Sequence, residues 1–81
     1  MAGTTTTLVD LRLILKKTIE LGTVAVILVH NHSSETIQPS LADCSVTKKL
    51  QSAASILEIK VLDHLIVTEK TYFSFAYENL L

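Results

Sequence analysis

Tryptophan is absent, and cysteine, proline and methionine each occur once in the 81 residues. A lone thiol, Cys44, makes no intrachain disulfide, so no covalent cross-link carries the fold and a reducing compartment is expected. Only four aromatics are present, two Tyr and two Phe. No basic groove accompanies them, so Tyr72, Phe73 and Phe75 read as sheet packing rather than a base-stacking platform. Charge of one sign is also lacking. Seven basic and eight acidic residues give a net charge of -1, with no basic stripe and no direct nucleic-acid signal. The pairs Lys16-Lys17 and Lys48-Lys49 fall on predicted helices and read as solvated faces. The opening MAGTTTTLVD has neither the basic start nor the apolar stretch of a signal peptide. The longest apolar run, Val24 to Val29, is far short of the ~20 residues of a membrane helix. A soluble cytoplasmic chain with no membrane association is expected.

What is abundant is apolar side chain: 48% hydrophobic residues and a mean hydropathy of +0.42. So short a chain buries only a modest fraction of its surface. The excess implies apolar surface left for a partner, and a homodimer is the expected assembly.

The pattern of elements is legible as one domain over residues 1–81. Thr4 to Val9 is Thr-rich and reads as a short strand. Asp10 is a good N-cap, apolar residues recur at helical spacing from Leu11 to Leu21, and Gly22 supplies a stop. Thr23 to Val29 is β-branched and continuously apolar, as in a central strand covered on both faces. Asn31 to Pro39 is a polar loop. Ser40, with Asp43 three residues on, has the spacing of a capping box, and Leu41, Leu50, Ala53, Ala54 and Leu57 supply the apolar face of the second helix. Ile59 to Thr68 reads as a strand, and Thr71 to Phe75 as its hairpin partner across Glu69-Lys70. The fold class is α/β, a mixed β-sheet flanked by helices.

The chemistry sits at the end of the apolar strand, in VHNHSS. Residues i and i+2 of a strand point to one side, so His30 and His32 can aim two imidazoles at one point. Seven residues later comes Ser40, then two more and Asp43. Two neutral imidazoles and a carboxylate are the donors of a zinc hydrolase, which keeps a fourth position for water. Ser40 is placed to donate to an oxyanion. The plainer reading stands beside this one. Ser40 and Asp43 are also an N-cap and an acid complementing the helix dipole, and the two histidines can be hydrogen-bonded loop residues.

The spacing His30-x-His32-x7-Ser40-x2-Asp43 resembles the metal motif of the JAB/MPN (JAMM) metalloprotease superfamily. More closely, the chain is similar to the C-terminal domain of RadC-type proteins, long named as DNA-repair proteins. The resemblance runs from about Gly3 to Leu81 and rests on VDLRLI, ILVHNHSS, PSLAD, LDHLIV and YFSFAYE in that order. It implies a JAB/MPN (cytidine-deaminase-like) fold, Zn2+ held by His30, His32 and Asp43, Ser40 as the oxyanion-side hydroxyl, and hydrolysis of a peptide or protein substrate at an amide or isopeptide bond. His64 belongs to the family pattern but not to its metal set, and reads as a hydrogen-bonded structural residue with Asp63 paired nearby. Cys44 reads as a core thiol, with a soft metal ligand as the lesser alternative.

Three departures from the family pattern bear on activity. Ser33 and Glu35 stand where the family has Pro and Gly, and Leu11 stands where Pro is common. The family's general base is a glutamate on a strand well upstream of the His pair. Upstream of His30 the acids are Asp10 and Glu20, and neither matches it. Glu35 is close in sequence but is not expected to replace it. The expectation is a domain incomplete at its N-terminus and inactive alone. The alternative is a non-catalytic interaction module linked to DNA repair.

Overall fold

The computed structural model describes residues 10–32 and 36–81. Its element order is α1 (Leu11–Leu21), β1 (Ala25–Asn31), α2 (Leu41–Ile56), β2 (Lys60–Val67) and β3 (Tyr72–Ser74). The strand expected at Thr4 to Val9 lies outside the described residues.

Helix α1 has the predicted bounds because both ends carry a specific stop. The Asp10 side chain accepts from the Arg12 N–H at 3.0 Å. Gly22 adopts the left-handed conformation (φ 70), and its N–H donates to the Ile19 carbonyl at 3.0 Å. Helix α2 starts as predicted: the Asp43 N–H donates to Ser40 Oγ, and the Asp43 carboxylate accepts from the Ser40 N–H.

The sheet has order β1-β2-β3, with β1 parallel to β2 and β3 antiparallel to β2. The fold is therefore α/β with a mixed sheet, as expected. β1 runs past the predicted Val29, because its pairing with β2 continues through His30 opposite Ile66 and Asn31 opposite Val67. It starts later than Thr23, whose N–H is held by the Thr18 carbonyl at the helix exit. A second correction concerns its place. Among the described residues β1 is an edge strand, and Ile27 and Val29 are 53% and 62% exposed. A continuous apolar run marks side chains that tolerate burial; it does not say that both faces are covered.

The register contains one irregularity that positions the site. Val26 pairs with Val61, but Ile27 pairs with Asp63, so Leu62 is an extra residue in β2. Side chains alternate with a period of two. A regular ladder continuing from Val61 would set His64 beside Val29, on the outer face. The bulge takes up one residue, so Leu28 lies beside His64 and His30 beside Ile66, on one face of the sheet.

Helix α2 packs against β2 on that face. The buried apolar residues are Leu50 and Ala54 of α2, Ile59, Ile66 of β2 and Phe75. The α2 stripe facing them is Asp43, Thr47, Leu50, Ala54. Leu41, expected on the apolar face, is 90% exposed. At about 100° per residue it lies nearly opposite Leu50. Leu57, also expected there, is partly exposed at the helix C-cap. Two polar residues take the places on the stripe that an apolar pattern would assign to leucine.

Candidate metal centre

The polar end of that stripe meets the C-terminal end of β1. His30 and His32 approach with ring centroids 4.8 Å apart and planes perpendicular. The Asp43 carboxylate lies against both: His30 Nδ1 is 2.9 Å from Oδ1, and His32 Nε2 is 3.2 Å from Oδ2. The three side chains predicted from spacing are therefore in contact. Ser40 joins them through Asp43, its N–H donating to Oδ2 at 2.7 Å and its hydroxyl at 2.9 Å. The capping pair and the functional cluster are one structure, so the two sequence readings of Ser40 and Asp43 are not exclusive.

Asp43 is buried. Burial by itself pushes its carboxyl up. The Ser40 N–H and hydroxyl, and the neighbouring His30 and His32, outweigh that and hold it below the ordinary 3.8. The cluster is thus built around a carboxylate kept ionised.

The proton arrangement on His32 can be worked out. Its Nδ1 lies 3.2 Å from the Thr36 carbonyl, which only accepts, so Nδ1 carries the hydrogen. Nε2 then faces a carboxylate oxygen, which also only accepts. Two acceptors at 3.2 Å call for a cation between them, either a proton or a metal.

His64, expected to be a hydrogen-bonded structural residue, is 2% exposed and stacks on Phe75 with centroids 4.5 Å apart and planes 8° from parallel. Its Nδ1 is 2.6 Å from Thr47 Oγ1. Asp63 is paired as expected: it accepts from the His64 N–H, the Ser74 hydroxyl and the Ala76 N–H, at 2.7, 2.6 and 2.9 Å. His64 also does something the sequence reading did not assign. Its ligand atom lies within 4.8 Å of those of His30 and Asp43, so these three residues can hold a metal ion. Imidazole nitrogen with carboxylate oxygen is a donor set suited to zinc and other first-row metals. Burial, ahead of all electrostatic causes, pushes the His64 imidazole below its usual 6.5 and keeps it in the neutral form a metal needs. Cys44 is a free, half-buried thiol outside this group. Beside the cluster, Ile14, Leu28, Val29, Ala42 and Val46 wall an apolar cavity of about 150 Å³ that opens on His30, Asp43 and His64.

A sequence profile of the RadC-like JAB domain matches residues 1–80. The chain belongs to this family. A UPF0758 protein of Flavobacterium johnsoniae is 47% identical over 78 residues, covering 96% of this chain and 34% of its own length. One from Porphyromonas gingivalis is 44% identical over 80 residues, covering 98% of this chain and 35% of its own length. One from Haemophilus influenzae is 47% identical over 70 residues, covering 86% of this chain and 32% of its own length. The chain thus spans about a third of the curated relatives it matches. No helix among the described residues of this RadC-like domain is long and apolar enough to cross a membrane.

Proposed function

We propose that this RadC-like JAB domain binds one zinc ion through His30, His32 and Asp43, as part of a protein that hydrolyses peptide or isopeptide bonds in the cytoplasm. The observation that carries the reading is the Asp43 carboxylate lying between two imidazoles, with the Thr36 carbonyl setting His32 so that Nε2 is free to bind. The chain's own groups divide the work. Ser40 anchors Asp43, Thr36 orients His32, and Asp43 brings the negative charge that offsets a cation. Bound zinc supplies Lewis acidity for the hydrolysis. The Ser40 hydroxyl, now donating to Asp43, is the nearby donor for an oxyanion if it turns.

Among the described residues no second carboxylate joins the cluster. General-base help is typically worth ~10²–10⁴-fold, so the 81-residue chain by itself is expected to bind metal without cleaving substrate. Calorimetric titration with zinc tests the site. One ion per chain is expected for the wild type, and none at the same concentrations for the His30→Ala/His32→Ala variant. Equal binding by both removes the assignment.

A second reading is a non-catalytic interaction module linked to DNA repair, and β1 supports its interaction part. At the sheet edge among the described residues, this strand carries the exposed apolar side chains Ile27 and Val29 on the face away from His30. A second copy of the same chain, pairing edge to edge, is the occupant that such a strand accepts most directly.

A further inference from the structure

We propose that His64 is a fourth protein donor to the ion, through Nε2, so that the site closes around its metal with three histidines and one aspartate. The inference rests on the metal-binding reading above and adds to it a residue outside the spacing motif.

The first support is a count of hydrogens. Thr47 Oγ1 has one proton and lies 2.8 Å from the Asp43 carbonyl, one turn back along α2, and 2.6 Å from His64 Nδ1. With that proton on the carbonyl, the imidazole Nδ1 donates to Oγ1 and Nε2 is a bare lone pair, the tautomer a metal needs. Nε2 is also the one fully buried side-chain polar atom among the described residues with no hydrogen-bond partner. An orphaned acceptor of this kind costs about 1–3 kcal/mol unless something fills it. Nearly every other polar group around it is satisfied, so the exception points to a missing occupant rather than to loose packing.

The second support is position. His64 lies on the face of β2 shared with His30, and the two rings face each other at 6.2 Å, 24° from parallel. The ligand atoms of His30, Asp43 and His64 lie within 4.8 Å of one another; His32 is outside that group and meets it at Asp43 Oδ2, 3.2 Å from Nε2. Donors on a zinc ion with bonds of about 2.0–2.1 Å sit closer together than that, so binding would draw the set inward. His64 has little freedom to move, because Phe75 stacks on its plane and Thr47 holds Nδ1. His30 and His32, at the exposed end of β1, are the parts that would adjust.

Thr47 then has a definite task. Its hydroxyl links the carbonyl of one metal residue to the ring of another, and so orients both Asp43 and His64 from inside the core. Four protein donors are the usual complement of a structural zinc, whereas a catalytic site keeps a position for substrate. The consequence is a domain whose metal fastens β1 to the core and keeps no open coordination position while His64 is bound.

The test uses the full chain labelled with nitrogen-15 and loaded with cadmium-113 in place of zinc. One-bond cadmium–nitrogen coupling to His64 Nε2 is expected, alongside coupling to His30 and His32. His64→Asn complements it, because the amide keeps a donor near the Nδ1 position for Thr47 while removing the Nε2 lone pair. Its zinc affinity is expected to fall by more than the ~10–100-fold that an outer-shell partner is worth. Coupling at His30 and His32 without coupling at His64 overturns the proposal and leaves the three-residue site standing. An His64→Asn variant that binds zinc within about 10-fold of wild type overturns it as well. No coupling at any histidine removes the metal-binding reading and this proposal together.

Discussion

Residues 10–32 and residues 40–75 are built from similar proportions of apolar side chain but use it differently. The later segment holds every buried apolar residue of the described chain: Leu50, Ala54, Ile59, Ile66 and Phe75. The earlier one buries only Thr18 and leaves Leu13, Ile19, Leu21, Val24, Ile27 and Val29 more than half exposed. The cluster straddles this seam. His30 and His32 come from the open side, while Ser40, Asp43 and His64 come from the packed side. The packed half holds a carboxylate and a buried imidazole, and the open half brings two further imidazoles toward them. Affinity in such an arrangement depends on how firmly the open half is held, because the packed half is already in place.

The sharpest way to break this contrast is a matched pair of truncations. Leu50→Ala should cost about 2–5 kcal/mol, a large share of the roughly 5–15 kcal/mol available to a small domain. Ile27→Ala, which removes a comparable volume from an exposed site, should stay within about 0.5 kcal/mol. Urea unfolding followed by circular dichroism compares them. Equal costs would show that Ile27 is covered in solution and that the two halves share one core.

A smaller effect comes from pH, and in metal-free buffer it belongs almost wholly to the packed side. His64 is pushed below its unfolded 6.5 by burial, so the unfolded chain takes up the proton first. Stability is complete above about 6.5 and falls as pH drops below it. Asp43 and Asp63 are held below 3.8; burial opposes this, and their hydrogen bonds prevail. Their contribution is present above 3.8 and is lost as pH falls through their lower folded values. Stability should therefore decline in two stages on acidification. His64→Asn should flatten the stage just below 6.5 and leave the lower one. An unchanged upper stage in that variant would assign the proton to a residue on the open side.

The smallest effect sharpens the account of the open side. If a second copy pairs along β1, Val29→Lys should convert a dimer to a monomer while leaving thermal unfolding of the chain nearly unchanged at low concentration. Light scattering at micromolar concentration reads the mass. A wild type that is already a monodisperse monomer would mean that the apolar strand is tolerated without a partner, and the dimer proposal would fall.

The same contrast explains what could be read from the sequence. The ends of α1 and the start of α2 were legible because capping chemistry is local: Asp10, Gly22 and the Ser40–Asp43 pair each act within a few residues. The meeting of His30, His32 and Asp43 was suggested by spacing, with a plainer reading beside it, and was named as a set only by the family resemblance. The edge position of β1 was not legible, because hydrophobicity records the tendency to be covered and not the neighbour that covers. The place of Thr47 and His64 was hidden for a different reason. Both are polar residues on buried stripes, and His64 reaches the cluster through strand pairing with residues more than thirty positions away. The one usable signal was LDHLIV itself, a histidine set within an apolar strand with no partner nearby in sequence to account for it.

Leu62 carries a consequence for how this chain tolerates change over generations. It is about half exposed, so most replacements there leave the cluster alone. Loss of its codon should be tolerated too. Asp63 would then follow Val61 directly, and a regular ladder would still set Asp63 beside Ile27 and His64 beside Leu28. The bulge is a slack point in the reading of β2. Three residues further on there is none. Loss of the codon for Leu65 would join His64 to Ile66 as neighbours, and neighbours in a strand face opposite ways, so one of the two would leave the core face. Every side chain of the histidine–aspartate cluster would still be encoded, yet the buried imidazole and the buried isoleucine could no longer be satisfied together. Length differences among related chains should therefore gather at position 62 and be rare between His64 and Ile66.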